Sequence, residues 1–155
     1  MTTPTDPLYA SQAFLAVIGD IETIWDEFNG DGVHVGVYDD GFEYTHEDLA
    51  GNYDSSLHFH HNGNTYDPFP LTGADGHGTA CAGIIGAVGE NGVGGVGVAW
   101  GVTMTGVNFL EGLPDSATEV ASLAWAQNFD LISNSWGRTP LYGSYQNLNN
   151  MASAV

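Results

Sequence analysis

Apolar positions recur at helical spacing in some stretches of this chain and cluster in short Val-rich runs in others. Ile18, Ile21, Trp25 and Phe28 stand at intervals of three, four and three, which is one face of a helix. Asp20 is placed to cap its later part, and Asn29-Gly30 to end it. Residues 1–13, polar with two prolines, read as an extended lead-in. Residues 32–38 (GVHVGVY) predict a Val-rich strand, broken by the turn residues Asp39-Asp40-Gly41. Residues 51–76 keep no period and read as loop. A second helix is predicted over 77–88, with Ala80, Cys81, Ile84, Ile85 and Val88 on its apolar face. A glycine-rich loop over 89–97 leads to a second strand over 102–107. A third helix over 116–128 turns Val120, Leu123 and Ala124 inward, with Trp125 at the margin. A third strand over 131–135 runs into Trp136-Gly137.

Strands alternating with helices predict an α/β fold with a parallel sheet. Three strands leave two open edges, and parallel sheets want both faces covered. Residues 151–155 break off in mid-pattern for another helix. Residues 1–155 are therefore expected to be the N-terminal part of a larger domain. No internal repeat is visible.

Charge narrows the partners. The 155 residues hold 19 Asp and Glu against one Lys or Arg, for a net charge of −18, and that one cation is Arg138. No basic patch exists to meet nucleic-acid backbones or anionic membranes. Divalent cations and basic peptides fit better. Disorder does not fit, since 43% of residues are hydrophobic and the acids lie among them. The lone cysteine, Cys81, excludes an internal disulfide and a cysteine-based zinc site. No apolar run reaches the roughly 20 residues of a membrane span. The N-terminus carries no signal-peptide pattern, so an export address is expected elsewhere.

In open α/β sheets the site lies at the carboxyl ends of the strands. Asp39 follows the first strand, and Ser135 to Gly137 follows the third. His77 opens a helix between Gly76 and Gly78, which admit a close approach. An Asp and a His so placed match the orienting and proton-transferring members of a hydrolytic triad, in the chain order Asp then His. Taken alone, the same pair also fits a structural contact.

The wording around these residues goes further. VGVYDDGFEYTHEDLAGNYD at 35–54, GHGTACAGIIGAVGENGVGGVGVAW at 76–100, SNSWG at 133–137 and TDPLYASQ at 5–12 resemble the subtilisin-like serine endopeptidases, most closely the kexin/furin-like branch. The resemblance implies the N-terminal portion of a three-layer subtilisin-like fold. It makes Asp39 the catalytic aspartate and His77 the general base. Asp40 would line a pocket for a basic substrate side chain, where the alternative is a solvated turn residue. Ser135, Trp136 and Gly137 would pair with an extended polypeptide substrate, with basic residues before the cleaved bond. The family's serine lies in a Gly-Thr-Ser motif, which these residues lack, and its oxyanion asparagine follows a later strand. The partner would be the missing C-terminal half of the domain. The rival expectation is a protease-like calcium-binding module without catalysis.

The resemblance also implies a Ca²⁺ site made of Asp6, Asp48, the carbonyls of Val88, Val93 and Gly95, and the Asn91 side chain. Residues 58–70 hold only Asp67 as an acid, which argues against the family's second calcium site. A secreted, calcium-rich setting follows from the same likeness. Three further patterns are set aside. Residues 92–97 match G-x-G-x-x-G, but a helix precedes them where a strand is needed. Cys81 lies four residues after His77 yet among alanines, as a buried cysteine would. His58, His60 and His61 read as loop residues facing water, and Trp100 and Trp125 as core or boundary.

Overall fold

The computed structural model describes residues 3–137. Its frame is a parallel sheet of β1 (His34–Asp39), β4 (Thr103–Asn108) and β5 (Leu131–Ser133), in the order β4-β1-β5. Val35 stands opposite Met104 on one side of β1 and opposite Leu131 on the other. The expected parallel α/β fold is thus present, with the first strand in the middle. Alternation along β1 sorts its side chains into two cores. Val35 and Val37 join Phe42, Leu49, Ala82, Val102 and Met104 on one face. Tyr38 joins Phe59, Val107, Phe109 and Phe129 on the other. Gly36 points to the second face too, where a Cβ would overlap the Phe129 ring. Helix α3 (His77–Gly86) covers the first face, and α4 (Ser116–Trp125) covers the second through Leu123 and Trp125. That makes three layers.

The N-terminal helix is two short ones, α1 (Ala13–Ile18) and α2 (Ile21–Trp25), parted at Gly19 with φ of 116°. The break rotates the face. Leu15, Ile21 and Trp25 are buried, while Ile18 and Phe28 are exposed. Asp20 caps α2 as expected, through the Thr23 amide. In α3 the fully buried side is Gly78, Ala82 and Gly86; of the face expected from the sequence, Ile85 packs partly against the core, Cys81 and Val88 are half-buried, and Ala80 and Ile84 are exposed. The helix lies so close to the sheet that a Cβ on Gly86 would meet Val102 and Met104. On α4, Ala124 is exposed, and Thr118 and Ser122 are buried instead. Strand β5 ends at Ser133, two residues early.

The 51–76 segment is not all loop. It contains a hairpin of β2 (His60–His61) and β3 (Asn64–Thr65). Asn62 and Gly63 both have positive φ, which the Asn-Gly pair allows in a two-residue turn. His58 does not simply face water. It is partly buried, its Nε2 sits 2.6 Å from the Tyr53 hydroxyl, and burial lowers its pKa. No helix follows residues 92–97, so the dinucleotide pattern is a coincidence.

Candidate active site

The end of β1 carries Asp39 inward on the α3 face, with 1% of its surface exposed. The turn at 40–41 lets α3 start directly over it. Gly78 is what permits this, because a Cβ there would overlap the Gly41 carbonyl and the Asp39 side chain. Gly76 has open space around it, so only one of the two flanking glycines is required by packing.

The His77 Nδ1 lies 2.8 Å from Asp39 Oδ1, which also accepts the Asp40 amide at 2.9 Å. Asp39 Oδ2 is buried and has no hydrogen-bond partner among the described residues. The hydrogen bond to Asp39, then its charge, raises the His77 pKa above the usual 6.5. The His77 side chain is 55% exposed. One edge of the ring is therefore fixed by a buried carboxylate, and the rest faces solvent. This pairing orients an imidazole and stabilises its protonated form, which is what a general base needs.

Asp40 is neither a plain solvated turn residue nor free. Its two oxygens accept the amides of His77 at 3.2 Å and Gly78 at 2.7 Å. It caps α3 from outside the helix and locks the histidine's backbone. The sequence signal for this was the second acid of the turn, but only the fold brings it to the helix start. Trp136 donates its Nε1–H to the Tyr38 carbonyl and stacks on Phe109. That ties the Ser135 to Gly137 segment to the strand bearing Asp39, with Ser135 and Gly137 exposed. Cys81 is half-buried, with its Sγ 3.8 Å from His77 Nε2, and these two with Asp39 form a compact cluster.

A second pair of buried acids lies elsewhere, at the far end of α3. Asp6 accepts the amides of Glu90 and Asn91, at 2.9 and 3.2 Å. Asp48 accepts the Asn91 side-chain amide at 2.8 Å and the Gly95 amide at 3.0 Å. The Val88 amide donates to the Asp48 carbonyl, and the Val93 amide to the Asn91 side chain. Asp6 and Asp48 thus both meet the loop that carries Val88, Asn91, Val93 and Gly95, where Val88, Val93 and Gly95 take part through their amides rather than the carbonyls expected of them. Gln12 was missed: its side chain clamps both the amide and the carbonyl of Val96. Gly94 has φ of 50°, and a Cβ on it would overlap the Asp48 carboxylate, so the loop closes directly onto that acid. No Lys or Arg occurs among the described residues to balance these carboxylates.

Residues 30–155 match the model of the subtilase family of peptidases. The chain belongs to the subtilase family. Within it the likeness is to furin-like members. Mouse furin is 40% identical over 143 residues, which are 86% of this chain and 18% of that protein. Furin-like protease 2 of Drosophila melanogaster is 38% identical over 141 residues, 85% of this chain and 8% of that one. Among solved structures, a serine protease of Aeromonas sobria in complex with its chaperone matches with a TM-score of 0.65 and 26% identity, over 81% of this chain and 21% of its own. A protease of Pseudoalteromonas arctica matches with a TM-score of 0.62 and 25% identity, over 94% of this chain and 48% of its own. The subtilase chain thus spans under a fifth of the furin it matches.

Proposed function

We propose that these residues supply the aspartate and histidine of a calcium-dependent serine endopeptidase. The observation that carries this reading is the 2.8 Å bond from buried Asp39 to exposed His77 at the end of the central strand. Asp39 holds the Nδ1–H tautomer. Nε2 then takes the proton of a serine as that serine attacks the scissile carbonyl, and later returns it to the leaving amine. The serine belongs to a Gly-Thr-Ser segment that these residues lack. The Ser135 to Gly137 backbone pairs with the substrate ahead of the cleaved bond, where basic residues are favoured near Asp40. Asp6, Asp48, Asn91 and the carbonyls of Val88, Val93 and Gly95 would hold Ca²⁺. The reading is supported by an all-oxygen donor set that includes two buried acids, with no Lys or Arg among the described residues to balance them. Bound there, calcium would join the N-terminus to the 88–95 loop. The intact protein is proposed to act outside the cell, where calcium is plentiful.

The test is to sequence and express the coding region through the residues after Val155 and measure peptide hydrolysis. A downstream Gly-Thr-Ser serine that reacts with a fluorophosphonate probe supports the reading. Probe labelling of any serine within residues 1–155 would overturn it.

A further inference from the structure

A groove of about 690 Å³ runs beside α3, starting next to His77 at Asp75 and Gly76 and ending near Ala87. Its floor includes Ala80 and Gly83, its wall includes Phe69 and Leu71, and Glu43 and Asp75 stand along it. Ten helical residues give it a length of roughly 15 Å, enough for four or five extended residues. We propose that it receives the polypeptide segment following the cleaved bond and favours lysine or arginine there; this rests on the proteolytic reading above.

The direction comes from the layers. Trp136 packs on Phe109 on the α4 face of the sheet, whereas Leu49 and Ala87 of the groove belong to the α3 face. His77 opens α3 between them. A substrate paired with Ser135 to Gly137 and attacked beside His77 therefore continues into the groove. The residue class comes from its chemistry. Lysine and arginine lay an alkyl stem on apolar surface and keep a charged head in water. Here the stem meets Leu71 and Ala80, and the head meets Glu43 and Asp75. Residues 3–137 hold no Lys or Arg to compete for those acids; the other titratable side chains lining the groove are His46 and Asp48, and one Asp75 oxygen also accepts the Thr72 amide.

The test has two arms. In the first, this chain is titrated into a fluorescein-labelled pentapeptide with two arginines, and into its twin with two glutamates, at physiological salt. The arginine peptide should bind, and Glu43→Gln with Asp75→Asn should weaken it about tenfold. Ala80→Trp, which fills the floor from an exposed position, should weaken it as well. Glu27→Gln with Glu119→Gln removes the same charge elsewhere and should leave binding unchanged. An equal loss in that control, or no preference for the arginine peptide, overturns the groove in favour of diffuse attraction to an acidic surface. In the second arm, the full-length enzyme is given substrates with arginine or glutamate two to four residues after the bond. Higher kcat/KM for arginine, lost in Glu43→Gln with Asp75→Asn, supports the proposal. Hydrolysis without preference overturns it. Peptide binding with no hydrolysis of any substrate would instead overturn the proteolytic reading.

Discussion

Two pairs of features sit at opposite ends of α3, and each is built on buried aspartate. At one end Asp39 has an oxygen with no partner among the described residues and meets an exposed, titratable ring. At the other, all four carboxylate oxygens of Asp6 and Asp48 accept N–H donors from a single loop. The chemistry of burial is the same, since a carboxylate without water needs compensation. The use differs. Asp39 is held so that its charge acts on a group free to exchange protons. Asp6 and Asp48 are held so that distant segments stay together.

Substitutions should separate these roles. The largest effect is expected from His77→Ala in the full-length protein: a fall in kcat of several orders of magnitude with the fold intact. Unchanged hydrolysis would refute the assignment. Next, chelating calcium should lower the melting temperature, by roughly 5–10 °C where the ion had been near 100 Kd. Magnesium should restore less, because it demands a smaller octahedral site. Asp48→Asn should abolish most of that shift. If the full calcium response survives in it, the ion merely screens an acidic surface.

A smaller effect should distinguish the glycines at the Asp39–His77 end. Gly78→Ala forces a methyl against Gly41 and Asp39 and should cost about 1–3 kcal/mol in denaturant melts. Gly76→Ala should cost far less, and equal costs would mean that the close approach of α3 to β1 is misplaced. The smallest change is a titration. Its bond to Asp39 puts the His77 pKa above the ordinary value, and Asp39→Asn should bring it down, as read by NMR on this chain. The sign follows: the protonated ring favours the folded state below about pH 6.5, and that contribution is lost as pH rises through the raised pKa. Hydrolysis by the intact enzyme should run the other way, rising as His77 becomes neutral.

How far the sequence disclosed these regions varies by element. Short Val-rich composition located β1, a short apolar run located β4, and the turn residues after β1 placed Asp39 at a strand end. The capping role of Asp20 was readable because it is local. Asp40 capping α3 was not, because donor and acceptor are 38 residues apart for Gly78. The α3 face misled for a physical reason: close packing on a sheet selects the smallest residues, so Gly78, Ala82 and Gly86 go inward and Ile84 goes out. The N-terminal face misled for another reason: the break at Gly19 rotates one short helix against the next. The β2–β3 hairpin was signalled by Asn62-Gly63, but strands of two residues leave no period to detect. Gln12 gave no signal at all, since its partner is Val96.

Strand β1 is first in the chain and central in the sheet, and this orders events as the protein is made. Neither edge of β1 has a partner until residues 103–108 and then 131–133 leave the ribosome. The N-terminal segment waits as well, because Asp6 and Gln12 find their partners 84 residues later. Closures of that length make folding slow. A nascent chain halted near residue 90 would hold β1 with both edges bare, the state most exposed to wrong pairing.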